Sequence, residues 1–121
     1  MITPEKVLVA APDTAFRRSL EFALESAGFG TSGHLRVTGA FASEEASQAA
    51  CAVIDDHAID NWKLAPDQFR QFAKPVILLT GRFHAASALP LVTLVIKPFL
   101  GEPLIEAVRT AIAGTHRPRA T

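Results

Sequence analysis

Asp55, Thr80 and Lys97 bring three different chemical groups to the same kind of place in the chain. Each stands at the end of a short apolar run: Val53-Ile54-Asp55, Leu78-Leu79-Thr80-Gly81 and Val95-Ile96-Lys97-Pro98-Phe99. If those runs are strands of one sheet, a carboxylate, a hydroxyl and an ammonium converge on one rim. That trio suits chemistry on an anion, because the hydroxyl donates a hydrogen bond and the ammonium supplies counter-charge to whatever the carboxylate binds or attacks. The first apolar run ends in Ala11-Pro12-Asp13 and adds one more carboxylate, which reads first as the cap of the following helix. Asp56 follows Asp55 directly, and the alternation of a strand is expected to turn it away.

No other set of reactive residues competes with this one. His34, His57, His84 and His116 show no spacing to cysteine or carboxylates that would hold zinc. Ala11-Pro12-Asp13 is not a phosphate-cradling glycine or hydroxyl-rich loop, so a small flavodoxin-like cofactor binder or enzyme has little support. Cys51, the single cysteine, sits in an apolar run as a small buried hydrophobe and fits a reducing compartment, the cytoplasm.

The elements that must position the trio can be read from hydropathy. Val7 to Ala11, Cys51 to Ile54, Val76 to Leu79 and Leu91 to Ile96 are nearly continuous apolar runs, the pattern of strands covered on both faces. Between the first two, Phe16, Leu20, Ala23, Leu24 and Ala27 form one stripe of a helix that Asp13 or Thr14 starts and Gly28 ends. The sequence predicts a second strand over Leu35 to Ala40 and a short helix over Ser43 to Ala50, capped by Ser43. Pro66 suits the first turn of a helix reaching about Ala73, and the last helix runs from Glu102 to Gly114. Alternating strands and helices with right-handed crossovers give an α/β, doubly wound, five-stranded parallel sheet whose chemistry gathers at the carboxyl ends of the strands.

Composition excludes several function classes. The 121 residues make one domain, with a core over about residues 5–114 and a solvated tail at 115–121. Twelve Lys+Arg balance 12 Asp+Glu, so no net field draws the chain to nucleic acid or an anionic membrane. A hydrophobic fraction of 49% is too high for disorder, and no run of ~20 apolar residues is available to span a bilayer.

With Asp55, Thr80-Gly81 and Lys97-Pro98-Phe99 in this order, the chain resembles the receiver domain of two-component response regulators from Val7 to about Gly114. The resemblance implies a flavodoxin-like receiver fold in a stand-alone signalling protein rather than an enzyme. Asp55 takes the place of the phosphoacceptor, Thr80 of the hydroxyl that turns toward the phosphoryl group, and Lys97 of the cation that pairs with the aspartate and its phosphoryl oxygens. His57 and Arg82, two residues beyond Asp55 and Thr80, fall where the family flanks the phosphoryl group. Phe41 to Ala46 looks like the start of the family's second helix. The implied partner is a sensor histidine kinase or a phosphotransfer protein, and the implied cofactor is Mg2+.

The chain departs from the family in three places. Ala11 and Pro12 occupy the positions of the acidic pair that recruits the metal, which leaves Asp13 and Asp55 as metal ligands and makes weak Mg2+ binding the expectation. This loss raises the alternative of a phosphorylation-independent pseudo-receiver, a protein–protein interaction module. Ile59 stands where the family has a proline. Gly81 to Pro90 is too short for an ordinary fourth helix, so that helix is expected to be shortened or missing. Apolar surface left uncovered near Leu89, Leu91 and Val92 would then suit a homodimer or another partner.

Overall fold

The computed structural model of the protein describes residues 4–80, 92–96 and 102–116. The apolar runs form β1 (Lys6–Ala10), β3 (Ala49–Asp55), β4 (Val76–Thr80) and β5 (Val92–Ile96), joined at one edge by β2 (Gly30–His34). All pairings are parallel and the order is β2-β1-β3-β4-β5. Strand order reverses between β1 and β3, so the crevice at the carboxyl ends of these two strands is where this topology places a ligand.

Both faces of β1, β3 and β4 are covered, which explains their continuous apolar runs. Leu8, Ala10, Ala52, Ile54, Val76 and Leu78 pack on one side with α2 (Val37–Ala42), α3 (Glu45–Gln48) and α4 (Ala65–Phe72). Val7, Val9, Cys51, Val53, Ile77 and Leu79 pack on the other with α1 (Thr14–Ser26) and α5 (Glu102–His116). Leu20 and Leu24, one turn apart on α1, are fully buried, each contributing about 1.5–3 kcal/mol of apolar burial. Leu104, Val108 and Ile112 do the same for α5, which runs two residues past the expected stop at Gly114.

The expected second strand is corrected. Residues 30–34 form it, and Val37–Ala42 is a helix. An edge strand needs one neighbour only, so Gly30-Thr31-Ser32-Gly33-His34 pairs with β1 without an apolar face to announce it. Val37, Ala40 and Phe41 have helical spacing, and all three pack into the layer on that side. Ser43 consequently closes α2 instead of opening a helix: its Oγ donates to the Ala40 carbonyl at 2.6 Å. The expected helix over 43–50 shrinks to α3, and β3 begins at Ala49.

Gly33 lets α1 approach β2, since a Cβ there would collide with the Glu21 carboxylate and meet Arg17 Cδ at 3.4 Å. Ala73 closes α4 in the left-handed region at φ 60°, its N–H donating to the Phe69 carbonyl at 3.1 Å. Next to it, Lys74 Nζ donates to the Ala46 and Ser47 carbonyls at 2.7 and 3.0 Å, tying α4 to α3; burial lowers the Lys74 pKa.

Phe22 is 73% exposed on α1, and Trp62 is also exposed. Val92 is half-buried against the α4 side of the core. Arg82, Leu89, Leu91, Lys97 and the shortened-helix expectation for 81–90 lie outside the described residues. No helix of the described residues is long and apolar enough to cross a membrane.

Candidate functional site

The carboxyl end of β1 holds no side-chain oxygen until Asp13. Ala11 is fully buried; its N–H donates to the His34 carbonyl at 3.0 Å, and its carbonyl accepts from Arg17 Nη1 at 2.9 Å. Asp13 is the N-cap of α1: its Oδ2 accepts the Phe16 N–H at 2.8 Å. The cap reading therefore describes Asp13, and its carboxylate is not part of the cluster at the end of β3.

That cluster is built by a change of conformation. β3 ends at Asp55 and the chain turns at once into a single 3-10 turn, Asp56–Ala58. Asp55 caps the turn, its Oδ1 accepting the His57 N–H at 3.3 Å. Asp55 is 3% exposed, and it and Thr80 are the buried polar or charged residues among the described residues. Register places Asp55 beside Leu79, so Thr80 lies one step further along the neighbouring strand.

Asp56 joins the cluster, against expectation. Strand alternation holds only inside the strand, and at Asp56 the chain has already left it. The Thr80 hydroxyl donates to Asp56 Oδ2 at 2.9 Å. His57 Nδ1 lies 3.9 Å from Asp55 Oδ1 and from Asp56 Oδ1, and its side chain is largely exposed at the rim. One atom each from Asp55, Asp56 and His57 fall within 4.8 Å of one another. The adjacent pair Asp55-Asp56 at a strand terminus was the available signal for this role.

Just beyond, Ile59 is buried in the α4-side core, so an apolar side chain fills the position where the family has proline. Asp60 then ties this loop to the start of α2. Its Oδ2 accepts the Thr38 N–H at 3.2 Å, and its Oδ1 lies 3.8 Å from Arg36 Nε. Arg36 Nη1 also donates to the His57 carbonyl at 3.3 Å.

The donor set suits a small hard cation in part. Asp55 and Asp56 offer carboxylate oxygens, the ligand type Mg2+ prefers with waters completing its shell, whereas Ala11 and Pro12 add no side-chain oxygen. Among the described residues, the group that could hold a cation thus lies at the turn after β3 and not at the end of β1.

The five-stranded sheet, its order and the polar cluster at its carboxyl rim define a receiver-domain fold of the CheY type. Among solved structures, the signal receiver domain of an HD domain-containing protein from Pseudomonas fluorescens Pf-5 matches with TM-score 0.80 and 17% identity, covering 94% of this chain and 98% of that one. A CheY-like receiver domain protein from Methanospirillum hungatei JF-1 matches with TM-score 0.75 and 16% identity over 93% and 96% of the two chains. A receiver protein from Sinorhizobium medicae WSM419 gives TM-score 0.72 and 22% identity over 90% and 94%. In sequence, the chain is similar to the transcriptional regulator protein FixT of Rhizobium meliloti (strain 1021), with 29% identity over 114 residues, 93% of this chain and 96% of that protein. No protein-family model matches the chain.

Proposed function

We propose that the protein is a receiver of two-component signal transduction in which Asp55 accepts a phosphoryl group from the phosphohistidine of a sensor kinase or phosphotransfer protein. The buried Asp55 carboxylate, set at the strand-order reversal with Thr80 one step along the adjacent strand, is the observation that carries this reading. A carboxylate oxygen attacks phosphorus, the P–N bond to the donor imidazole breaks, and the aspartyl phosphate forms as the imidazole nitrogen keeps the bonding electrons and takes a proton from solvent. The transferring group carries its negative charge on the phosphoryl oxygens, so the step needs cations and donors around them rather than a base. Thr80 supplies a hydroxyl donor. Lys97 follows Ile96, which pairs with Thr80 in register, and is the cation we assign to the phosphoryl oxygens. A Mg2+ held by the Asp55 carboxylate, with waters completing its shell, would neutralise charge on the transferring group. His57 at the exposed rim, and Arg82, are the residues we assign to tuning the lifetime of the aspartyl phosphate.

The balanced formal charge of the sequence and the fold support protein partners rather than nucleic acid or membrane. The similarity to FixT suggests a regulatory output, reached through contact with other signalling proteins or a second copy of the chain. A second reading, a phosphorylation-independent interaction module, is favoured by Ala11 and Pro12 at the end of β1. Incubation with acetyl phosphate, with and without Mg2+, separates the two. One phosphoryl mass added to the wild type and none to Asp55→Asn supports the acceptor reading; no addition under any condition supports the interaction module.

A further inference from the structure

We propose that Asp56 is a positioning residue that opposes phosphorylation by holding the Thr80 hydroxyl in the resting state. The inference rests on Asp55 being the acceptor. The Thr80 Oγ1 to Asp56 Oδ2 bond is 2.9 Å long, Thr80 is fully buried, and the carboxylate is held by the turn that Asp55 itself caps. A hydroxyl carries one proton. Thr80 can therefore donate to Asp56 or to a phosphoryl oxygen on Asp55, but not to both at once. The resting bond is assisted by charge, which makes it stronger than an ordinary hydroxyl contact.

Asp56 acts in two ways that can be told apart. Its carboxylate competes for the Thr80 proton, and its negative charge stands beside the carboxylate that must receive a dianionic group. Both effects retard modification of Asp55, and after transfer both favour loss of the Thr80 to phosphoryl contact. A residue with a purely structural role would do neither, because its removal would change stability without coupling to Thr80.

The test compares wild type, Asp56→Asn, Asp56→Ala, Thr80→Val and the Asp56→Ala/Thr80→Val pair. Modification by acetyl phosphate is followed by intact mass, and the Thr80 methyl resonance is followed by NMR in unmodified protein. Asp56→Asn keeps an acceptor for the hydroxyl and removes the charge; Asp56→Ala removes both. We expect modification to be about tenfold faster in Asp56→Ala, with Asp56→Asn intermediate. The Thr80 methyl resonance is expected to shift in Asp56→Ala and to stay near its wild-type position in Asp56→Asn. In the Thr80→Val background, Asp56→Ala should give only the smaller acceleration that removal of charge provides. Equal rates in wild type and Asp56→Ala, with an unmoved Thr80 methyl, overturn the proposal while leaving Asp55 as acceptor. Absence of any mass gain across the series overturns the acceptor reading itself, and the competition falls with it.

Discussion

The Asp13 carboxylate accepts the Phe16 N–H at 2.8 Å, so the first carboxylate after β1 serves the helix that follows it. Removing that side chain leaves an N–H without its cap. Asp13→Ala should lower stability by about 1 kcal/mol in urea titration. Mg2+ binding, followed by titration calorimetry or NMR, should be unchanged in the same variant. A large loss of Mg2+ affinity would return Asp13 to the metal site.

Ala11 is fully buried at the end of β1, and this sets what restoring the acidic pair will do. Without metal, Ala11→Asp combined with Pro12→Asp places a carboxylate in an apolar site and should lower the melting temperature markedly. Saturating Mg2+ should raise it again, because binding adds about 2.7 kcal/mol of stability at a concentration a hundredfold above Kd. The same variant, once loaded, should be phosphorylated faster at Asp55 than the native chain. Thermal unfolding with and without Mg2+, alongside intact-mass kinetics, reads both effects, and a melting temperature indifferent to Mg2+ would count against a metal position at β1.

Ala73 ends α4 at φ 60°, a conformation that costs a residue with a Cβ and costs glycine almost nothing. Ala73→Gly should therefore stabilise the protein by up to about 1 kcal/mol, despite the greater freedom glycine gives the unfolded chain. Chemical denaturation checks the sign. A destabilised variant would mean that the lost methyl group packs better than its strain costs.

Cys51 is buried in β3, and burial, with a smaller effect from the Glu5 carboxylate, pushes its thiol up from 9.0 to about 12. The unfolded chain loses that proton near pH 9, and the folded one only near pH 12. The associated stability is present below pH 9 and is lost as pH rises from 9 toward 12. Alkaline unfolding of Cys51→Ala should be shallower over that window than that of the native chain. Native Cys51 should also resist iodoacetamide at pH 8 and react once urea unfolds the protein.

How much of this was legible beforehand depends on which force fixes each element. β1, β3 and β4 are covered on both faces, so their residues had to be apolar and their runs were plain. β2 is held by backbone pairing along one edge, which any residue can make, and Gly30 to His34 therefore carried no hydropathic mark. The rim positions of Asp55 and Thr80 followed from the strands, since a polar residue that ends a buried run must emerge at the rim. Asp56 did not follow, because its place depends on the 3-10 turn that begins there. Alternation along a strand says nothing about a residue that has left it.

The bonds around Asp60 have a mechanical consequence. The His57 carbonyl holds Arg36, the residue just before α2, and Asp60 holds both Arg36 and the Thr38 N–H inside α2. The segment that begins with Asp55 is thereby leashed to the β2 edge of the sheet. Displacing the turn drags on α2 unless these bonds break, so rearrangement at Asp55 has a line of pull toward that edge, independent of the chain between β4 and β5.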